Sequence, residues 1–333
     1  MKPNSIYANI TAVGKYLPES IITNQHFETE LDTSDDWIVS RTGIKQRHKV
    51  SNGQASVYMA VKAVEDLFRN SNVSSGDIDS IIVCTITPDM FFPSCACLVQ
   101  KEIGANKAWG FDLSAACSGF VFGLETASNM IQSGNYKKII VIGVDTMSSI
   151  LDYTDRNTCI LFGDGAGAVL LESNSTHGIM DSILKVDGNG GDYLYMPGGG
   201  SLNPTTEKTI ANKLHYVKQD GANVFKRAVK GMTNVTLELM SRNQLSSNEI
   251  DLFIPHQANK RIIESVANKL NLNDEQVLIN IDKYANTTAA TIPIGIHDAI
   301  NRKKLKHNDN LILSTFGAGF TWGSMYIKWN SDD

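Results

Sequence analysis

Three side chains of this 333-residue sequence have types and settings that could do chemistry, and the first is a cysteine. Cys117 follows the short run 109–113, a predicted strand, and opens a predicted helix at 118–120. A thiol at such an elbow faces the positive end of the helix dipole, which favours the thiolate form. Small neighbours leave room for a substrate. We therefore treat Cys117 as a candidate nucleophile, with a buried structural cysteine as the alternative.

The other two are a histidine and an asparagine at the ends of later predicted elements. His256 ends the predicted strand 251–255 just before a helix, where active sites of α/β sheets tend to lie. Taken alone, it fits an ordinary loop histidine equally well. Asn286 precedes two threonines at the start of another predicted helix, where asparagine is also a good cap.

A cysteine, a histidine and an asparagine in this order could serve two mechanisms. In a thiol hydrolase, the asparagine orients the histidine. In an acyltransferase that forms a carbon–carbon bond, the histidine and the asparagine both donate hydrogen bonds to a developing enolate. The three residues alone do not decide between these mechanisms.

The elements that must position these residues are short Ile/Val-rich strands alternating with amphipathic helices, a pattern typical of an α/β protein with a buried sheet. Strands are predicted at 78–83 and 138–143, and a helix at 119–132. A capping box from Thr33 to Asp36 opens another predicted helix, which ends at Gly43. Trp37 and Arg41 then share a face of that helix, because they are four residues apart.

An internal repeat organises the chain. Residues 74–83 resemble 246–255, and 162–171 resemble 316–320 with the strand that follows, in the same order. We therefore predict two similar α/β halves, 1–175 and 176–333, packed as a pseudo-dimer. The glycine run at 163–167 precedes a strand and lacks the order of a phosphate-binding loop, so it predicts tight strand packing. The glycine-rich zone at 187–206 predicts a connection or a binding loop.

Composition excludes several classes of protein. The chain is 42% apolar and 20% charged, with a net charge of −5 and a pI of about 5.8. These values indicate a globular protein and argue against nucleic-acid binding. No apolar run reaches the ~20 residues of a membrane span, and the polar start at 1–5 predicts a cytoplasmic protein. The five cysteines lack CxxC spacing, so we expect no metal site, and the four other than Cys117 are predicted to be structural.

Six runs, in register and in order from about residue 6 to the end, carry a resemblance to a known family: 32–44, 112–120, 162–167, 255–259, 286–290 and 316–323. They resemble the β-ketoacyl-acyl carrier protein synthase III family of the thiolase superfamily. The resemblance implies an α/β fold of duplicated halves with a five-layered αβαβα core. It also implies transfer of a short acyl group from acyl-CoA to a cysteine, then decarboxylative condensation with malonyl-acyl carrier protein to start fatty acid synthesis.

The resemblance also leaves alternatives. A secondary-metabolism relative of the same fold would act on other acyl groups. A non-catalytic partner subunit would lack part of the trio, which is intact here. No cofactor is implied beyond acyl-CoA as a substrate.

By motif match, the resemblance assigns the catalytic roles. Cys117 is the nucleophile, while His256 and Asn286 hold the malonyl thioester oxygen. The amide of Cys117 and the turn at Phe316, Ala318 and Gly319 form the other oxyanion site, with Phe316 over the thiol. The family often carries glycine where this chain has Ala318. The alanine is harmless unless the backbone at this position needs a positive φ.

Binding roles follow in the same way. Thr33, Trp37, Arg41 and Arg156 match CoA-binding positions, with the adenine between Trp37 and Arg156. Lys226 and Arg261 match positions that dock the carrier protein. Phe92 matches a residue that the partner subunit inserts into the acyl pocket, which implies an obligate homodimer.

Overall fold

The computed structural model describes residues 6–330. The polar segment 1–5, on which the expectation of a cytoplasmic protein depends, lies outside the described residues. Within the described residues, none of the helices is both long and apolar enough to cross a membrane. The same residues contain no group of three or more His, Cys, Asp or Glu side chains that could hold a metal ion.

Thirteen strands and eleven helices follow one another along the described chain. The strands are β1 (Tyr7–Tyr16), β2 (Ser20–Thr23), β3 (Gln46–Lys49), β4 (Ser80–Cys84), β5 (Trp109–Leu113), β6 (Lys138–Asp145), β7 (Gly165–Asn174), β8 (Gly178–Val186), β9 (Leu194–Tyr195), β10 (Lys218–Gln219), β11 (Leu252–Pro255), β12 (Asn310–Gly317) and β13 (Thr321–Lys328). The helices are α1 (Asn24–Glu30), α2 (Asp35–Thr42), α3 (Ser56–Arg69), α4 (Cys95–Glu102), α5 (Gly119–Gln132), α6 (Arg156–Cys159), α7 (Glu207–Ala211), α8 (Gly221–Arg242), α9 (Lys260–Lys269), α10 (Ile281–Tyr284) and α11 (Thr291–Asn301).

Two large sheets repeat one topology. The first has the order β1-β7-β6-β4-β5, and the second has the order β8-β13-β12-β11. In the first sheet β5, β4 and β6 are parallel, and in the second sheet β11 and β12 are parallel. The pairs that continue each sheet, β6–β7–β1 and β12–β13–β8, are antiparallel. In the second sheet, the position that β5 has in the first is occupied by a single parallel bridge between Phe253 and Val277.

The repeat seen in the sequence matches these elements. The same spacing separates Ser74 from Ser246, which both open capping boxes, and Lys138 from Asn310, which both begin strands. It also separates Gly119 from Thr291, which begin α5 and α11. The prediction of a duplicated fold is confirmed, and the boundary after residue 175 stays a prediction.

Apolar side chains build five layers. Helices α3 and α4 cover the outer face of the first sheet through Met59, Val64 and Val99. Helices α5 and α11 lie between the sheets, where Phe120, Leu124 and Ile292 join strand residues of both halves in the largest core. Helices α8 and α9 cover the second sheet. The result is the expected αβαβα order, with both central helices starting at the interface of the halves.

Two local predictions were tested by the geometry. The N-cap of α2 is Ser34, whose hydroxyl accepts from the Trp37 amide, so the predicted capping box at Thr33 is wrong by one residue. The helix ends at Gly43 in the left-handed conformation, as predicted. At Gly167 in β7 a Cβ would lie 2.7 Å from Pro293, so this glycine serves tight packing against α11.

Candidate active site

A cavity of about 500 Å³ lies at the interface of the two halves. Cys117, His256 and Asn286 all line it, although they are far apart in sequence. Cys117 and His256 follow strands, Asn286 forms a bridge with Phe162, and all three lie shortly before a helix. The duplicated fold therefore brings three such positions to one place. The remaining wall is mostly apolar and includes Leu161, Phe162, Leu194, Val224, Phe225, Ala228, Met232, Ile262 and Phe316.

Cys117 sits in a 3-10 turn, Ala116–Ser118, directly before α5. Ala116 has a φ of +47°, and the Thr315 hydroxyl donates to the carbonyl of Cys117 at 2.9 Å. Burial raises the pKa of the thiol to about 12, and the nearby charge of Asp145 acts in the same direction. This direction runs against the expectation that the elbow favours the thiolate, because the cost of burying the charge outweighs the helix dipole.

His256 follows β11 and is buried. Its backbone amide donates to the carbonyl of Ser314 at 2.8 Å, and its Nδ1 lies 2.7 Å from the Thr291 hydroxyl. Burial lowers the pKa of the ring to about 3, so the imidazole is neutral at physiological pH. With Nδ1 engaged, Nε2 is the ring nitrogen left for a ligand.

Asn286 is held at both its backbone and its side chain. Its amide donates to the carbonyl of Leu161 at 3.0 Å, and its carbonyl accepts from Gly163 at 3.0 Å. Its side-chain Oδ1 accepts from the backbone amide of Thr288 at 2.9 Å. Because the oxygen is used in this way, the Nδ2 group is left to donate a hydrogen bond.

The turn at 316–319 lies beside the Cys117 elbow. Phe316 lines the cavity, and a Cβ at Gly317 would lie 2.9 Å from the amide nitrogen of Cys117. Ala318 and Gly319 form the connection from β12 to β13 and are not among the cavity-lining residues. Gly319 has a φ of +131°, whereas Ala318 has a negative φ. A Cβ at position 318 therefore introduces no backbone strain.

The candidate CoA residues lie together on α2 and α6. The Arg156 guanidinium is 4.9 Å from the centre of the Trp37 ring, and Arg156 also donates to the carbonyl of Asp32. An adenine between the two planes would need about 7 Å, twice a ~3.5 Å contact. The pair is therefore stacked on itself, and Arg156 must move for the predicted sandwich to form. The Thr33 hydroxyl is buried without a partner, and Arg41 is exposed.

The remaining predicted residues lie on the surface. Lys226 and Arg261 are exposed, and the Arg261 guanidinium lies 5.6 Å from the ring of Phe225 in the cavity wall. Phe92 is 84% exposed and does not line the cavity of its own chain. Phe91 beside it is 82% exposed.

Sequence reasoning missed the residues that support the trio. Asp145 is fully buried at the end of β6 and accepts hydrogen bonds from the turn after Asn286, and Thr291 contacts His256. A charged residue ending an Ile/Val-rich strand is a signal that could have identified Asp145. Leu194 is the cavity residue that the glycine-rich zone supplies, and nothing in its surroundings marks it.

Two duplicated halves that together form five layers, with a cysteine, a histidine and an asparagine at their interface, define an acyltransferase of the thiolase fold. Family models agree: residues 111–188 match "3-Oxoacyl-[acyl-carrier-protein (ACP)] synthase III", and 240–329 match its C-terminal model. The chain belongs to the β-ketoacyl-[acyl-carrier-protein] synthase III family.

Individual relatives agree with this assignment. A β-ketoacyl-[acyl-carrier-protein] synthase III of Koribacter versatilis is 51% identical over 97% of this chain and 98% of its own length. The crystal structure of the 3-oxoacyl-[acyl-carrier-protein] synthase III of Aquifex aeolicus superimposes with a TM-score of 0.90 at 40% identity, covering 97% of this chain and all of that one. The priming β-ketosynthase of the R1128 polyketide pathway has a TM-score of 0.92 at 26% identity, covering 100% of this chain and 99% of its own.

Proposed function

We propose that this chain joins a short acyl group from acyl-CoA to malonyl-acyl carrier protein through an acyl-cysteine, as the first condensation of fatty acid synthesis. The observation that carries the proposal is the meeting of Cys117, His256 and Asn286 in one cavity. High identity to synthase III relatives over nearly the whole chain favours this function over that of a secondary-metabolism enzyme.

In the first step, the sulfur of Cys117 attacks the thioester carbonyl of acyl-CoA. The bond from that carbonyl to the CoA sulfur breaks, and the proton of the Cys117 thiol leaves with the CoA thiol. The amide of Cys117, beside which Gly317 leaves open space, supports the oxyanion of this step. The acyl-cysteine divides one difficult reaction into two easier ones.

In the second step, the malonyl group loses carbon dioxide and negative charge builds on its thioester oxygen. The Nδ2 group of Asn286 is free to donate to that oxygen, because Oδ1 is already bonded to Thr288. The proposal places the ring proton of His256 on Nε2, the second donor. In that tautomer the Thr291 hydroxyl, 2.7 Å from Nδ1, donates to this nitrogen rather than to the Thr288 carbonyl, which lies 3.1 Å away. The new carbanion attacks the acyl-cysteine, a carbon–carbon bond forms, and the thiolate leaves and takes up a proton.

Surface residues supply the substrate sites of the proposal. The nucleotide end of acyl-CoA binds at Trp37, Thr33, Arg41 and Arg156. The aromatic face of Trp37, the cationic face of Arg156 and the unpartnered hydroxyl of Thr33 support this assignment. Lys226 and Arg261 beside the cavity mouth attract an acidic carrier protein. The atoms of both steps come from the two substrates, so no cofactor enters the reaction.

A homodimer is also part of the proposal. Two exposed phenylalanines, Phe91 and Phe92, are costly to leave in water. Strand β5 is the edge of its sheet and carries Trp109, which is 46% exposed. A second copy could cover these groups and receive Phe92 in its acyl pocket. A reducing cytoplasm fits the five free cysteines, because the nucleophile must stay reduced.

Two measurements test the function. Intact mass spectrometry after mixing with a panel of short, branched, long and aromatic acyl-CoAs should show one added acyl group, absent in Cys117→Ala. Addition of malonyl-acyl carrier protein should then release carbon dioxide and give the 3-oxoacyl product. Free acid without carbon dioxide would indicate a thiol hydrolase. No acyl-enzyme with any donor would indicate a non-catalytic subunit, and turnover only with long or aromatic donors would indicate a secondary-metabolism enzyme.

A further inference from the structure

The buried carboxylate of Asp145 joins the two halves behind the cavity. Its Oδ1 accepts from three donors at the end of β4: the Thr85 hydroxyl at 3.0 Å, the Ile86 amide at 2.8 Å and the Thr87 hydroxyl at 2.9 Å. Its Oδ2 accepts from the Thr288 hydroxyl and from the Ala289 amide at 3.3 Å, both in the other half.

Thr288 connects this carboxylate to the active site. Its hydroxyl donates to Asp145, and its backbone amide donates to the side-chain oxygen of Asn286. Thr288 has a φ of +50°, a conformation that a β-branched residue adopts only where its surroundings hold it. The bond to Asp145 supplies such a restraint. The direction of the Thr288 amide, and through it the direction of the Asn286 side chain, therefore depends on the carboxylate.

The duplicated fold contains a second turn for comparison. Ala116 and Thr288 each begin a 3-10 turn before a central helix, at φ values of +47° and +50°. Asp145 ends β6 where Gly317 ends β12. Gly317 has no side chain to cap the Cys117 amide, which an oxyanion can then use. Asp145 instead caps the corresponding amide, that of Ala289.

We propose that Asp145 is a positioning residue that holds the turn Thr288–Ala290 and so aims the Asn286 amide at the malonyl thioester oxygen. This inference rests on the proposed decarboxylation. Asp145 acts through Thr288 and Asn286 and does not line the cavity.

The test removes the Thr288 hydroxyl and measures the two steps separately. In Thr288→Ala, release of carbon dioxide from malonyl-acyl carrier protein should fall at least tenfold, while the rate of acylation by acyl-CoA stays within threefold of wild type. Alanine is accepted at this φ, since Ala116 occupies the twin turn. Thr288→Ser keeps the hydroxyl and should restore decarboxylation. Asp145→Asn should lose decarboxylation as Thr288→Ala does.

A matched control and a double variant separate positioning from stability. Thr85→Ala removes a hydroxyl from the other oxygen of Asp145 and should decarboxylate within threefold of wild type. In an Asn286→Ala background, Thr288→Ala should reduce decarboxylation less than threefold further, because its target is already gone.

Three results would overturn the inference: undiminished decarboxylation in Thr288→Ala, an equal loss of acylation, or a full additional loss in the double variant. Wild-type protein that releases no carbon dioxide would instead refute the proposed function itself.

Discussion

Replacing Asn286 tests the chemistry of the second step most directly. The Oδ1 atom is committed to the Thr288 amide, so a substrate can use only the Nδ2 group. Loss of one preorganised donor to a developing oxyanion costs about 2.7–4 kcal/mol, or roughly 10²–10³ in rate. We therefore expect Asn286→Ala to release carbon dioxide from malonyl-acyl carrier protein 10²–10³-fold more slowly, with acylation by acyl-CoA within threefold of wild type.

Two further variants make this measurement specific. Asn286→Asp keeps the volume and the acceptor for Thr288 but replaces the donor by a negative oxygen, so it should be at least as slow as Asn286→Ala. Asn157→Ala removes an exposed carboxamide from the cavity wall and serves as the matched control, with decarboxylation unchanged. Labelled carbon dioxide and intact mass follow the two steps. Decarboxylation by Asn286→Ala within threefold of wild type would refute the assigned role.

Three other predictions concern pH, CoA and assembly. Because burial lowers the pKa of His256 from 6.5 to about 3, the unfolded chain binds a proton that the folded chain refuses, so stability falls on acidification below pH 6.5. Between pH 6.5 and 5 the free energy of unfolding falls by ~1.6 kcal/mol from this group, and urea unfolding at the two pH values should show a loss smaller by that amount in His256→Gln. Trp37→Ala should raise KM for acyl-CoA roughly tenfold and leave KM for an acyl-pantetheine unchanged; equal shifts for both donors would contradict adenine stacking. Phe92→Asp should give a monomer in light scattering, whereas Leu202→Asp, at an equally exposed position, should not; a dimer in both would exclude this face.

The fold could be predicted from sequence because its signals are local. The helical spacing of apolar residues, the glycines that end helices and a repeat in constant order predict α5, β6 and the order of the halves without any long-range contact. The turns that carry Cys117 and His256 could also be predicted, because each lies where a predicted strand ends and a helix begins. The position of Cys117 before α5 is therefore confirmed, although its roles and those of the other site residues remain proposals.

What could not be predicted depends on burial and on contacts between the halves. Burial raises the pKa of the Cys117 thiol, and burial depends on the folded surroundings, which a helix-dipole argument from one segment of sequence does not include. Asp145 bonds to Thr288 across the halves, and only the folded chain brings them together. The N-cap of α2 could not be assigned to a single residue from sequence, because Thr33 and Ser34 are both good caps. In the structure it is Ser34 that accepts from the Trp37 amide.

The self-stacked pair of Arg156 and Trp37 has a consequence for turnover. In the proposed function, this pair competes weakly with the nucleotide end of acyl-CoA for the same two faces. Opening a half-buried stack of this kind costs ~0.5–1 kcal/mol, so the proposed site would bind CoA about two- to fivefold less tightly than a preopened one. The same amount is returned when the arginine closes again, which would hasten the departure of spent CoA.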